Sequence, residues 1–412
     1  MLASSTSTPI TAIAGIDVWD GISHLGPTDL RWEVSASDAV IAQVSPSDAP
    51  SGDGLTLIPG LIDTHVHLIG NASSTRSDFL TWPLVTRPEE QVLHGLAHAQ
   101  QALAVGITTL RDLSADDVQF SLGRGIDKGL VEGPRILSHG MVSMTGGHGD
   151  MFVPPGVDPS LRKPTADGPD ACRALVRTWA RAGASGIKIA TSGGLLSDGD
   201  KPSWRNHTRA EIDAIVDEAH ALGMLVAAHA HTREGIRIAL DSGADSIEHA
   251  TDMTDELASA IAAAGVPIAP TLLINDAIAE RRVPVSDEQA ASAADLVRSR
   301  DERFAAAAAA GVDFVLGTDA NGFHVGFGDQ LSEVRKMAEL FGWSAERTLQ
   351  AATSRAAAAV GRADSLGRIA PGAVADFVIV RGRPWEDIAD LEPSNIVAVV
   401  SRGRVVAGAL PA

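Results

Sequence analysis

The chain has 412 residues, 45% of them hydrophobic and 21% charged, which is enough for one barrel of about 250 residues and a smaller domain. Its formal net charge of −19 argues against nucleic acid as a partner, because phosphate backbones are bound by clustered Lys and Arg. No stretch reaches the ~20 apolar residues of a membrane helix, and the N-terminus lacks the pattern of a secretory signal. We therefore expect a cytoplasmic protein that acts on a small molecule and binds no membrane.

The two ends of the chain alternate like β-strands. ITAIAGIDVWDG lies near the N-terminus, and GRIAPGAVADFVIVRGRPW and NIVAVVSRGRVVAG lie near the C-terminus. Neither end has enough strands for a stable sheet of its own. We therefore predict that residues 1–57 and 366–412 together form one small β-sandwich domain.

Between these ends, short apolar segments alternate with amphipathic helical segments over residues 58–365. Many of the helical segments end at a glycine, as a left-handed helix cap prefers. Eight repeats of strand and helix predict an α/β fold, a (β/α)8 TIM barrel. The eight predicted strands are LIDTHV, ITTLRDL, RILSH, GIKIA, LVAAHA, SIEHA, VPIAP and FVLGTD.

The first candidate metal ligands close the first barrel strand. His65 and His67 are two residues apart, so the period-two geometry of a strand places both on one face, at the C-terminal mouth of the barrel. Imidazole nitrogen suits zinc and similar metals. Two histidines of the core would explain the pair equally well if it stood alone.

The second strand ends in Arg111 and Asp112, which we expect to form a supporting ion pair. The third strand ends in His139, which contacts substrate if it faces the barrel mouth. His148 follows in the glycine-rich loop SMTGGHGD, where it can donate a hydrogen bond to the scissile carbonyl or to the oxyanion. An incidental histidine in a flexible loop is the alternative.

Lys188 lies in the otherwise apolar fourth strand, SGIKIATSGG. A buried lysine is unfavourable unless it is paired or chemically altered. Its deprotonated amine can react with CO₂ to form a carbamate, which is a carboxylate-like ligand able to bridge two cations. A lysine in an ion pair at the strand mouth is the alternative.

The later strands end in further metal-binding side chains. His229 and His231 follow the fifth strand, and we favour His229 as a ligand and His231 further out, contacting substrate or orienting a ligand. His249 ends the sixth strand. Asp319 ends the eighth, where a carboxylate can touch a metal and also accept a proton from water. Asn321 follows on a loop that we expect to line the substrate pocket.

Glu248 immediately precedes His249. Strand alternation predicts that these two side chains point to opposite faces.

Together these stretches resemble the amidohydrolase superfamily, in particular its imidazolonepropionase-like and Xaa-Pro dipeptidase-like branch. The resemblance covers about residues 55–410 and implies a metal-dependent hydrolase with two metal ions, a barrel and a small β-sandwich. The ligands it implies are His65, His67 and Asp319 for one metal, His229 and His249 for the other, and carboxylated Lys188 as the bridge. The motifs are LIPGLIDTHVHL, GITTLRDL, SMTGGHGD, GIKIATSGG, VAAHAHTREGI, GADSIEHAT, GTDAN and LGRIAPGAVADFVIV.

These features predict hydrolysis of a C–N bond in an amide, urea or carbamate with an apolar or aromatic part. A hydroxide shared by two divalent metals attacks the carbonyl, with His148 or a metal stabilising the oxyanion. Asp319 takes the water proton and passes it to the leaving nitrogen. Zinc is the expected metal, and Mn, Co or Fe would suit the same ligands.

Other functions stay open at this point. An Xaa-Pro or N-acyl amino acid dipeptidase would need a group that reads a free carboxylate. The chain has no tyrosine, so Arg205, Arg209 and Arg233 are the candidates. Lactone or phosphoester hydrolysis would suit the same metal pair. A non-enzymatic scaffold relative is disfavoured because all the ligand positions are filled. Homo-oligomers are common among such barrels, and no sequence feature decides the oligomeric state.

Overall fold

A computed structural model describes residues 10–33, 38–49, 54–73, 77–196 and 199–411. The strands are β1 (Ile10–Trp19), β2 (His24–Glu33), β3 (Val40–Pro46), β4 (Leu55–Pro59), β5 (Leu61–Val66), β6 (Ile107–Ala115), β7 (Arg135–Met141), β8 (Gly186–Ala190), β9 (Leu225–Ala230), β10 (Ser246–His249), β11 (Ile268–Ala269), β12 (Phe377–Arg381), β13 (Ile396–Ser401) and β14 (Arg404–Gly408).

The α-helices lie between the barrel strands and after them. They are α1 (Trp82–Val85), α2 (Pro88–Ala104), α3 (Asp117–Asp127), α4 (Pro169–Ala182), α5 (Arg209–Ala221), α6 (Arg233–Asp241), α7 (Asp255–Ala264), α8 (Leu272–Ala279), α9 (Asp287–Val297), α10 (Arg300–Ala309), α11 (Gln330–Phe341), α12 (Ala345–Ala352) and α13 (Ser354–Ala359). In the described ranges, no helix combines the length and the apolar character that crossing a bilayer requires.

The N- and C-terminal strands pair in one seven-stranded sheet, in the order β14-β13-β12-β4-β1-β2-β3. Its apolar side chains form a core separate from that of the barrel, with Trp32 and Phe377 in edge-to-face contact at 5.1 Å. The sheet folds over this core, because Trp32 Nε1 donates to the carbonyl of Gly403 at 2.8 Å and the Ile41 amide donates to Ala373 at 2.8 Å. The predicted pairing of the two chain ends is thereby observed, and the domain limits 1–57, 58–365 and 366–412 stay a prediction.

The barrel consists of seven parallel strands, in the order β11-β10-β9-β8-β7-β6-β5. The eighth predicted strand, FVLGTD, is an extended segment that lies between the two edge strands. Parallel bridges join its Phe314 to Ile268 of β11, and Ala320, the next residue after it, to Val66 of β5. The barrel prediction is confirmed, with the last strand joined by isolated bridges instead of a continuous ladder.

Burial explains why the barrel strands read as apolar runs. Every residue of β5 and of β8 is buried, as expected for parallel strands that have helices on one face and the barrel interior on the other. Capping boxes fix the starts of α3, α5 and α9, with Asp116, Thr208 and Ser286 as the N-caps. Since all the strands run the same way, their C-terminal ends meet at one mouth, and the candidate ligands lie there.

Candidate metal centre

The first ligand group lies where β5 meets the closing segment of the barrel. His67 Nε2 is 3.1 Å and His65 Nε2 is 3.6 Å from Asp319 Oδ1. The ligand atoms of these three residues all lie within 4.8 Å of one another. Burial would raise the pKa of Asp319, but the two imidazoles and Lys188 lower it to about 2. The carboxylate is therefore ionised and able to bind a cation.

The second ligand group consists of His229, His231 and His249, whose ligand atoms also lie within 4.8 Å of one another. The ring centroid of His249 is 4.6 Å from those of both His229 and His231. Burial, together with Lys188 and the neighbouring histidines, lowers the pKa of His229 and His249 well below the ordinary value and that of His231 to about 3. All three rings are therefore neutral, which is the form that binds metals.

The two groups adjoin each other, with Lys188 close to both. The ring centroids of His65 and His249 are 5.0 Å apart. The Lys188 side chain is buried, and its charge acts on the titration of His65, His229, His249 and Asp319. Burial lowers the pKa of Lys188 to about 8, against the opposing effect of the nearby carboxylates. Roughly a tenth of the amine is therefore unprotonated at pH 7, far more than for an ordinary lysine.

Hydrogen bonds orient three of the imidazole rings and leave the second nitrogen of each ring for a metal, an arrangement typical of metal-binding histidines. The bonds join His65 Nδ1 to Glu248 Oε2 (2.7 Å), His249 Nδ1 to Thr271 Oγ1 (2.7 Å) and His231 Nδ1 to Thr251 Oγ1 (2.9 Å).

The prediction that Glu248 and His249 point to opposite faces is wrong. The backbone of His249 has φ 68° and that of Ala250 has φ 50°, so the alternation breaks and both Glu248 and His249 reach the metal centre. Glu248 accepts hydrogen bonds from His65 and from Arg111 Nη2, the latter at 2.8 Å. Burial alone would raise the pKa of Glu248, but Arg111 and His65 hold it well below the ordinary value.

The predicted ion pair between Arg111 and Asp112 is wrong. Adjacent strand residues point to opposite sides, so Arg111 pairs with Glu248 inside the barrel while Asp112 Oδ2 accepts from the Leu68 amide at 3.0 Å. Arg111 supports the site through a different partner, because Glu248 in turn orients the candidate ligand His65.

The last strand end is held in a strained conformation. Asp319 has φ 57°, a left-handed backbone that costs about 1–3 kcal/mol in non-glycine residues and persists where its surroundings enforce it. The Asp319 amide donates to the His65 carbonyl at 2.7 Å. The preceding Thr318 donates its amide and hydroxyl to buried Asp63, at 3.1 and 2.6 Å. These contacts aim the Asp319 carboxylate at the histidines.

His148 lies against the second ligand group. Its ring stacks on that of His229 with centroids 4.1 Å apart. Its Nδ1 is 3.2 Å from Asp200 Oδ2, which also accepts from the Gly194 amide at 2.7 Å. Sequence reasoning missed Asp200, because nothing in that polar loop distinguishes it from a solvated aspartate.

His139 and Asn321 occupy less direct positions. His139 is buried on β7 opposite Gly186, two residues before the level of Lys188, and its Nδ1 has no hydrogen-bond partner within the described part of the chain. Asn321 is buried, and its Oδ1 accepts from the amides of Phe323 and His324 at 3.0 and 2.9 Å. Asn321 therefore shapes the loop after Asp319, and the substrate contacts of both residues stay predictions.

Comparison with known proteins identifies the architecture. The model of the amidohydrolase family matches residues 56–406, a range that contains both ligand groups and Lys188. The chain belongs to the amidohydrolase family. It is therefore a hydrolytic enzyme acting on C–N bonds, and the predicted superfamily is confirmed.

Named relatives of this amidohydrolase include several hydrolases. Ochratoxinase of Aspergillus niger is 30% identical over 372 residues, which cover 85% of this chain and 76% of that protein. The ochratoxinase crystal structure superposes with a TM-score of 0.84 at 28% identity, covering 97% of this chain and 96% of that one. A crystal structure of a Xaa-Pro dipeptidase with methionine bound in its active site has a TM-score of 0.84 at 29% identity, covering 96% of this chain and 99% of that one. Imidazolonepropionase of Stenotrophomonas maltophilia is 24% identical over 388 residues, covering 87% of this chain and 83% of that protein.

The donor set of the amidohydrolase fits the metal ions that the family generally uses. Neutral imidazoles and one ionised carboxylate are N and O donors of the kind that zinc, manganese, cobalt and iron accept. The two groups of potential ligands found among the described residues both lie at the barrel mouth. The ligand assignment to individual metals stays a prediction.

Replacing Glu248 by Gln is expected to weaken metal binding by about 10- to 100-fold, because an amide orients and polarises His65 less strongly than a carboxylate does. Competition with a chromogenic chelator measures this affinity. Glu256→Gln, at an exposed glutamate that pairs with Arg237 on the outer surface, is the matched control. Equal affinities in the two variants would contradict the orienting role of Glu248.

Proposed function

We propose that this amidohydrolase cleaves the C–N bond of a small amide, urea or carbamate with an apolar or aromatic part, using two divalent metal ions, most simply zinc. The observation that carries the proposal is the contact between the two ligand groups. The ring centroids of His65 and His249 are 5.0 Å apart, and the buried Lys188 amine lowers the pKa of both rings. Metals held by the two ligand groups would polarise the substrate carbonyl and lower the pKa of a bound water molecule.

Lys188 completes this arrangement if its amine is carboxylated. Its pKa of about 8 supplies the free amine that reacts with CO₂, and the carbamate adds the anionic oxygens that a two-metal site needs. We therefore propose carboxylated Lys188 as the ligand shared by the two groups.

Three residues handle the reacting atoms in this proposal. Asp319 is ionised and belongs to the first ligand group, so it takes the proton of the attacking water and returns it to the leaving nitrogen. His148 donates from Nδ1 to Asp200, and in its imidazolium form its Nε2 also donates to the carbonyl oxygen as negative charge develops. His231 belongs to the second group by distance, and we propose that it contacts the substrate while His229 and His249 bind the metal.

The likeness to the Xaa-Pro dipeptidase structure supports a second candidate, a dipeptidase that reads a free carboxylate. Two of the cations considered for that role are already paired. Arg209 binds Asp213 at 2.6 Å, and Arg233 binds Asp252 at 2.9 Å. These pairings weaken the case for Arg209 and Arg233 and leave Arg205 as the third candidate. The likeness to ochratoxinase is consistent with either class.

Metal analysis and a substrate panel test the proposal together. We expect about two equivalents of divalent metal per chain, and hydrolysis that chelation abolishes and metal restores. The panel consists of phenylureas, N-acyl amino acids and Xaa-Pro dipeptides. A preference for Xaa-Pro dipeptides would support the dipeptidase instead, and a metal-free protein that cleaves none of them would support the scaffold.

A further inference from the structure

Four aromatic side chains from three loops form one connected surface at the barrel mouth, which we call the aromatic wall: Phe79, Phe152, Phe323 and His324. Phe79 lies at its centre, with its ring centroid 5.6 Å from Phe152, 5.4 Å from Phe323 and 5.1 Å from His324. All three contacts are edge-to-face, an arrangement that aromatic rings prefer and that accommodates a further ring.

The aromatic wall is continuous with the metal centre at both ends. Phe152 contacts His148 with centroids 5.2 Å apart, and His148 stacks on the ligand candidate His229 at 4.1 Å. At the other end, Phe323 lies on the loop that begins directly after Asp319. A substrate whose carbonyl lies between the two ligand groups is therefore within reach of the wall.

The exposure of these phenylalanines sets them apart from the rest. The chain has nine phenylalanines, and six of them are buried in the apolar core: Phe120, Phe304, Phe314, Phe327, Phe341 and Phe377. The three that remain partly exposed are the three of the aromatic wall. Core packing therefore accounts for the six buried phenylalanines but not for the three partly exposed ones. Clustered, exposed apolar side chains commonly mark a binding site, and these three cluster beside the candidate metal centre.

The wall is also uncharged. Burial lowers the pKa of His324 to about 4, so its ring is neutral, and its Nδ1 has no hydrogen-bond partner in the described ranges. Trp82, which is buried, supports the wall from behind with its ring 6.0 Å from Phe323. The surface thus offers ring faces and edges to a ligand.

We propose that the aromatic wall binds a ring of the substrate beside the scissile C–N bond and so makes the enzyme selective for aryl over small alkyl substrates. This selectivity rests on the proposed function. The residues that set the specificity of the enzyme are Phe79, Phe152 and Phe323, with His324 facing the same substrate ring.

The test compares matched probes that differ in one ring: phenylurea against methylurea, and N-benzoylglycine against N-acetylglycine. We expect the metal-loaded protein to prefer the ring-bearing member of each pair. Phe79→Leu and Phe152→Leu keep apolar volume but remove the ring, and each should lower the ratio of kcat/KM for the ring-bearing probe to kcat/KM for its methyl counterpart about 10-fold. Phe120→Leu, in the core, is the matched control and should alter stability but not selectivity.

Binding of the same probes, followed by ligand-detected NMR, separates this inference from the proposed function. If the wild-type protein binds the ring-bearing probes selectively, the wall variants lose this binding and no probe is hydrolysed, the proposed function is contradicted. The proposed role of the aromatic wall in ring binding is then supported. Hydrolysis without ring preference would overturn the wall and leave the proposed function standing. Absence of ring preference in both binding and hydrolysis would overturn the wall as well.

Discussion

Replacing Asp319 by Asn is expected to reduce kcat about 10³-fold, a loss typical for removal of a general base, while most of the bound metal remains. The amide keeps one oxygen at the position from which Asp319 Oδ1 approaches His67 at 3.1 Å. It has no charge to accept the proton of the attacking water. Asn also tolerates the left-handed backbone of φ 57° at this position, so the substitution tests the carboxylate with little change in the fold.

Steady-state kinetics and metal analysis on the same preparation measure this outcome. Asp329→Asn is a matched control, because Asp329 accepts from the Gly326 amide in the loop that follows and lies on the exposed side. A variant that retains full metal and near-normal turnover would remove Asp319 from the proton-transfer role. Loss of metal in parallel with turnover would show that Asp319 acts as a ligand alone.

Replacing Lys188 by Met is expected to reduce turnover by at least about 10³-fold and to lower the metal content below two equivalents. Loss of several kcal/mol of charge stabilisation corresponds to a rate change of this size. Methionine suits the buried site, because it is flexible, apolar and similar in length. The fold should therefore persist, and the melting temperature of the metal-free variant should not fall below that of the metal-free wild type.

The carbamate itself has a direct test. Wild-type protein equilibrated with isotope-labelled bicarbonate should show one labelled carbonyl carbon in its NMR spectrum, and the Lys188→Met protein should show none. Lys128→Met, at an exposed lysine after α3, should retain the signal, the metal and the turnover. A wild-type protein that binds two metals and hydrolyses its substrate without the labelled carbon would contradict carboxylation and leave Lys188 as a paired amine.

The sequence predicts much of this arrangement, because parallel strands bring their C-terminal ends to one mouth. His65, His229 and His249 were each predicted at a strand end, and the structure brings them together there. The barrel was predicted from the alternation of buried strands with amphipathic helices, and the pairing of the chain ends from the shortage of strands at either end alone. These inferences depend on local periodicity, which the amino-acid order specifies directly.

The contacts that orient the ligands depend instead on long-range geometry. Glu248 reaches His65 only because the backbone turns left-handed at His249, and no local pattern signals that turn. The pairing of Arg111 with Glu248 is likewise a long-range contact. Glu248 lies across the barrel from Arg111, whereas Asp112 is its neighbour along the strand.

Local sequence thus determines which side chains end the strands and that they gather at one face. Only the tertiary structure decides which of them touch, since a contact such as that of Phe79 with Phe152 and Phe323 joins loops distant in the chain. Strand period and helix caps are properties of neighbouring residues. The closing of a barrel, the strain at its strand ends and the meeting of three loops are properties of the whole fold.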